Sequence, residues 1–259
     1  MLQAVFSIPA KNRGIIAPLF PCTNGLMRAC LDGSMGQAFG DHPLRPGAAL
    51  LCIGDFACLG GDPKRQASRH IAGKLALRPG KEWNIPCAQG WEEHIAYWRP
   101  KRMERGVRFA VEQKSAFDVS RLCLLIKDIP PGFSLHAIDE ALYGKAMAEM
   151  WSRDFCSQFH DAADYARRGL GTVALYRGEL VSGASSYVVH EGGIEIQTDT
   201  REDMRRRGLA AACCARLILD CIKKGIEPTW DAANNASLAL AEKLGYSFKA
   251  SYDIWEVSF

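Results

Sequence analysis

One junction constrains this chain more than any other part of its sequence. Ile194–Thr200 (IEIQTDT) alternates strictly, which predicts a strand. Ile194, Ile196, Thr198 and Thr200 then share one face, and Glu195, Gln197 and Asp199 the polar one. From about Leu209 to Lys224 an alanine-rich run has helical spacing, and Gly225 ends it. Between the two stands Arg205-Arg206-Arg207-Gly208-Leu209-Ala210. A strand that turns through such a loop into a helix suits an anion. The first turn of a helix has amide N–H groups without intrahelical partners, and the helix dipole adds positive potential there. Gly208 lets the backbone approach a phosphate, Ala210 leaves the first turn clear, and the arginines add charge. Taken alone, the string also reads as a solvated basic turn before an amphipathic helix.

The second half of the chain supplies a context for that loop. The apolar run Arg121–Lys127 (RLCLLIK) predicts a strand ended by Pro130-Pro131-Gly132. Asp139 can cap a helix through Met150, and Phe155–Arg168 predicts a second helix closed by Gly169. Thr172–Arg177, Leu180–His190 and Ile194–Thr200 predict three consecutive strands, with Gly183 a candidate bulge. After the helix beyond Gly208 come a short strand at Pro228–Ala232, a helix at Ser237–Leu244 closed by Gly245, and two closing strands within Tyr246–Phe259. The order implies an α/β chain with a mixed sheet covered by helices. The first half is less regular. Gly14, Pro18, Pro21 and Gly25 imply an irregular start, Ala48–Ile53 and Phe56–Leu59 a buried strand pair, and Trp91–Arg105 helical spacing. These signals predict a smaller α+β N-terminal domain, 1–117, and a second domain, 118–259.

Two motifs carry a family resemblance. Arg205–Ala210 resembles the Q/R-x-x-G-x-G/A loop of the GNAT acetyltransferase superfamily, and Asn234–Tyr246 (NNASLALAEKLGY) resembles its N-x-x-A/S-x-x-L-Y-E-K-L-G-F/Y helix. The element order from about residue 118 onward is also similar to that of the GNAT fold. The whole chain looks closer still to a bacterial GNAT subfamily with an extra N-terminal domain, through Gly54–Pro63, Arg105–Lys114 and Pro228–Tyr246.

The resemblance implies acetyl transfer from acetyl-CoA to a primary amine by direct attack. Arg205, Arg206, Arg207, Gly208, Leu209 and Ala210 would hold the diphosphate, and the backbone of Thr198, Asp199 and Thr200 would run along the pantetheine arm. Asn234 and Ser237 match cofactor-side positions and also suit a helix cap. The Thr198 N–H would hold the thioester oxygen. Glu195 is the first candidate for the base, although a solvent-exposed strand carboxylate reads equally well; Asp199 is the second. Asp231 would orient substrate or hold a turn. One position departs from the family pattern: Ala241 stands where a tyrosine often protonates the leaving thiolate. The thiolate then leaves unprotonated, or Tyr246 or Ser237 substitutes, or the chain is a non-catalytic acyl-CoA-binding sensor or interaction module.

Composition narrows the alternatives. A net charge of +3 over 259 residues is too mild for a nucleic-acid binder. No secretory signal is legible and no apolar stretch can span a bilayer, so a cytoplasmic location is expected. None of the ten cysteines forms a C-x-x-C pair, and no histidine pair has zinc spacing, so no metal is expected and the thiols read as reduced, mostly buried packing groups. The expected partners are acetyl-CoA and an amine acceptor, with a homodimer left open; neither nucleic acid nor membrane is expected.

Overall fold

The computed structural model describes residues 5–20, 24–113 and 115–259. Pro21 and Cys22, and Lys114 of the second family-like stretch, lie outside the described residues. In chain order the elements are β1 (Phe6–Ser7), two short 3-10 turns at Ala10–Ile15 and Ala17–Leu19, α1 (Gly25–Leu31), β2 (Gln37–Gly40), β3 (Ala48–Ile53), β4 (Phe56–Gly61), α2 (Ser68–Ala76), β5 (Glu82–Pro86), α3 (Glu92–Tyr97) and β6 (Arg102–Glu112). Then follow α4 (Val119–Lys127), β7 (Phe133–Ala137), α5 (Glu140–Ala148), a 3-10 turn at Arg153–Phe155, α6 (Ala162–Arg168), β8 (Gly171–Tyr176), β9 (Glu179–His190) and β10 (Gly193–Thr200). After a 3-10 turn at Glu202–Met204 come α7 (Leu209–Lys224), β11 (Glu227–Thr229), β12 (Asp231–Ala232), α8 (Asn235–Leu244) and β13 (Ser247–Ser258).

Two compact units result: Met1–Arg108 with Ser251–Phe259, and Phe109–Ala250. A single cut at 117/118 does not describe them, because the last residues of the chain rejoin the first unit.

In the first unit β1, β2, β3 and β4 are antiparallel neighbours, β4 and β5 pair in parallel, and β5 pairs antiparallel with Ile254–Ser258 of β13. The β3–β4 hairpin is the buried strand pair expected from the sequence. Its apolar side chains join Ile71 and Leu75 of α2, Trp83 and Ile85 of β5, Trp91, Ile95 and Val257 in one core. Arg13 is buried without a carboxylate; its guanidinium donates to the carbonyls of Ile8, Cys30, Met35 and Gly36. Four of its five N–H donors meet acceptors, and such pairing is the condition for burying a charge. The helix expected over Trp91–Arg105 stops at Tyr97. Arg99 takes a left-handed φ of 50°, Pro100 has no N–H to continue the ladder, and β6 begins at Arg102.

The second unit holds a sheet in the order β11-β10-β9-β8-β7, with β10–β11 its parallel pair. RLCLLIK is a helix, not a strand. Asp118 caps α4 by accepting the Arg121 N–H at 3.0 Å, and Leu122, Leu125 and Ile126 meet the core at helical spacing. A short apolar run cannot distinguish the two by periodicity. Phe133–Ala137 supplies the strand instead. Regular helix in Phe155–Arg168 is confined to α6, capped by Asp161, and Tyr246–Phe259 yields one long strand, not two.

Gly183 marks no bulge. The register slips at Val181 against β8 and at Tyr187 against β10. Gly183 lacks a side chain for a different reason: a Cβ there would lie 2.7 Å from the Phe155 ring, itself fully buried. Gly183→Ala is therefore expected to cost about 1–3 kcal/mol by overpacking, read as a lower midpoint in urea unfolding.

Candidate cofactor and active site

β10 is paired on both sides only at its start. Gly193, Ile194 and Glu195 lie opposite Glu227, Pro228 and Thr229 of β11, and the pairing with β11 ends there, while β10 stays paired with β9 as far as Thr200. β12 pairs instead with Phe109 and Ala110. The two parallel strands thus part after Glu195, beside the register slip at Tyr187, and bulges commonly bend a strand in this way. The Ile194 carbonyl lies 2.9 Å from the Thr229 hydroxyl, on the β11 side, and the Asp199 carbonyl accepts from Ser182 of β9. Strand alternation then puts the backbone groups of Ile196 and Thr198 along the edge that β11 has left.

The loop to α7 continues from that edge. Arg206 and Gly208 both have left-handed φ, 64° and 79°. Gly208 is the N-cap of α7 and no side chain caps the helix. A Cβ on Gly208 would meet no atom within 4 Å. Leu209 is buried and anchors the first turn, whereas Arg205, Arg206 and Arg207 are exposed. Arg205 Nε donates to the Thr200 carbonyl at 3.1 Å, which ties the loop back to the strand. Left-handed turns leading into an uncapped helix present successive N–H groups toward one point, the geometry of an anion cradle.

The candidate catalytic groups divide by face. Thr198 lies toward α7: its hydroxyl donates to the Gly183 carbonyl at 2.8 Å and reaches the Cys214 thiol. Its side chain is committed internally, so any role toward a ligand falls to its N–H. Glu195 is 4% exposed, which excludes the solvated-carboxylate alternative. Its Oε2 accepts the Thr229 hydroxyl at 2.6 Å. Asp199 Oδ1 accepts the Thr200 N–H at 2.6 Å and lies 3.9 Å from Arg205. Burial raises the Asp199 pKa; the Thr200 amide and Arg205 oppose the shift and Asp154 adds to it. With 38% of the side chain open, solvent screens much of this effect.

α8 uses its two marked residues within the protein. Asn234 caps the helix by accepting the Ser237 N–H at 2.9 Å, and the Ser237 hydroxyl accepts the Trp230 indole N–H at 3.1 Å. Ala241 is fully buried. Tyr246 does not replace the missing tyrosine in any open position. Its hydroxyl donates to the Pro228 carbonyl at 2.7 Å in the core, and burial first, then Cys214 and Glu195, holds its pKa well above the usual value. Asp231 sits on β12 opposite Ala110.

Sequence reasoning missed Thr229, because a cross-strand partner is visible only once the parallel register is known. It also missed Asp154, on a 3-10 turn that carries no periodic signal, whose charge adds to the upward shift of the Asp199 pKa.

Seven of the nine described cysteines are buried, with Cys87 exposed and Cys123 intermediate. Among the described residues no helix is long and apolar enough to cross a membrane, and no group of three or more His, Cys, Asp or Glu could hold a metal ion.

Comparison with known proteins gives the family. A family model described as GNAT acetyltransferase matches residues 17–255. The chain is 37% identical to a GCN5-related N-acetyltransferase-like protein from Streptococcus suis 89/1591, whose crystal structure covers 96% of this chain and 99% of its own at a TM-score of 0.86. It is 32% identical over 129 residues to the uncharacterized N-acetyltransferase YdfB of Bacillus subtilis (strain 168), an alignment covering 49% of this chain. The chain spans about half the length of that curated relative, 49%. A tandem GNAT protein from the clavulanic acid biosynthesis pathway shares the fold at 14% identity, covering 98% of this chain and 97% of its own, TM-score 0.56.

Proposed function

Because the chain belongs to the GNAT acetyltransferase family, we propose that it transfers the acetyl group of acetyl-CoA to a primary amine. The observation that carries this reading is the continuity between the open edge of β10 and the left-handed turn at Gly208. Acetyl-CoA, the cosubstrate, supplies the activated acyl carbon. The amides opening α7, with Arg205, Arg206 and Arg207, hold its diphosphate; Asn234 and Ser237 lie on the second family-like helix and are assigned to the same ligand. The backbone of Thr198, Asp199 and Thr200 lines the pantetheine arm.

The amine nitrogen bonds to the thioester carbon, the C–S bond breaks, and coenzyme A departs as a thiolate. Glu195 accepts the proton that the amine loses, through water, and the Thr198 N–H stabilises the oxygen that becomes negative. With Ala241 in place of a hydroxyl donor, the thiolate leaves unprotonated, which a thiol pKa near 8.5 makes tolerable. Asp199 is the second choice of base.

Ala241 also favours a second reading, a non-catalytic acyl-CoA-binding module. Both readings predict binding. At about a hundredfold excess over Kd, coenzyme A should raise the melting temperature by roughly 5–10 °C. Gly208→Val should abolish that response, since a β-branched residue at left-handed φ is strained and its side chain enters the cradle. Thiol release from acetyl-CoA across a panel of amines separates the readings. Turnover with any amine supports the transferase; saturable binding without release supports the module. No thermal response to any coenzyme A species would sink both.

A further inference from the structure

The two units repeat one fold. In the first, β1, β2, β3 and β4 make three antiparallel pairs and β4–β5 a parallel one. In the second, β7, β8, β9 and β10 make three antiparallel pairs and β10–β11 a parallel one. The parallel pair is short in both: Phe56 opposite Asn84 in one, Gly193–Glu195 opposite Glu227–Thr229 in the other.

Helices fall at matching points. They lie between the first and second strands (α1; α5 and α6), between the fourth and fifth (α2; α7), and after the fifth (α3; α8), and a long strand follows (β6; β13). The last strand of each repeat also pairs with a strand of the other. β5 pairs antiparallel with 254–258 of β13, and β12 pairs antiparallel with 109–110 of β6.

The loops after the fourth strand differ. Between β10 and α7, Arg206 and Gly208 are left-handed and α7 opens uncapped. Between β4 and α2 no residue from 62 to 67 has positive φ, and the N-cap Ala67 is right-handed at φ −77°. The Ser68 N–H already donates to the Arg65 carbonyl at 3.0 Å and its hydroxyl to the Asp62 carbonyl at 2.8 Å. Arg65 Nε is bound to Asp41 at 2.6 Å, and Asp62 puts a carboxylate where a phosphate would need a donor. The Lys64, Arg65 and Ser68 N–H groups of this loop already have partners within it.

We infer that the chain is an internal tandem of the acyltransferase fold in which only the second copy retains a coenzyme A cradle, so one chain binds one acyl-CoA. The fold-level match to a tandem GNAT protein over 98% of this chain agrees with the duplication. The binding count rests on the cofactor reading proposed above.

Titration calorimetry of the full chain with coenzyme A tests the count, with deuterium exchange locating the site. One site per chain is expected, with amide protection at 196–212 and none at 62–70. Lys64→Glu, on the exposed first loop, should leave the isotherm unchanged, whereas Gly208→Val should remove it. Two sites per chain, or weaker binding in Lys64→Glu, would overturn the single-cradle inference while sparing the cofactor reading. No heat and no protection in the wild-type chain would overturn both.

Discussion

A chain ended at Ala250 should fail to fold its first unit, although the deletion removes only residues 251–259. Those residues carry Ile254, Val257 and Phe259, all buried in the unit that begins at the other end of the sequence. They also pair with the whole of β5, from Glu82 to Pro86. Further backbone bonds are lost: Lys101 to Ser258, Gly80 to Phe259 and Cys87 to Asp253. Losing one large buried side chain typically costs about 2–5 kcal/mol. Losing three together with a central strand exceeds much of the roughly 5–15 kcal/mol that stabilises a whole domain. The expected result is loss of amide exchange protection throughout β2–β5 and insolubility or early melting. A truncated chain that melted within about 2 °C of the intact one would show that the strand contributes almost nothing.

Glu195→Gln should nearly silence turnover without disturbing the fold. The amide has the carboxylate's shape and its oxygen can still accept the Thr229 hydroxyl that now bonds Oε2 at 2.6 Å. What it cannot do is take a proton. Turnover should fall about 10²- to 10⁴-fold, while the thermal response to coenzyme A stays that of the wild type. The limb of the pH profile assigned to the base should vanish with it. Initial rates within about threefold of wild type would remove Glu195 from the chemistry and turn attention to Asp199.

The loop and its flanking elements were legible because each rests on local chemistry. IEIQTDT has period two, the α7 run has helical period, and Gly208 and Gly225 punctuate it; the structure gives β10 and α7 with left-handed glycines at both ends of the helix. Arg121–Lys127 was misread because seven residues with five apolar side chains satisfy strand and helix alike, and the deciding contacts, from Leu122 into the core, are tertiary. Glu195 stood open between a base and a solvated strand carboxylate because alternation assigns a face but not what covers it. The repeat escaped notice because it lies in strand order and pairing direction, which two diverged sequences can share without a common motif. That residues 251–259 belong with the N-terminal unit has no local signature at all.

The cysteines of α7 bear on chemical safety. Thioesters exchange with thiolates far faster than with thiols, so a reactive cysteine close to an acyl-CoA would risk carrying the acyl group itself. Cys214 touches Thr198, whose amide borders the gap between β10 and β11. Burial pushes that thiol up to about 12, so near neutral pH it stays in the protonated, non-nucleophilic form. Packed sulfur at this position fills the core while remaining inert toward the ligand proposed to lie beside it.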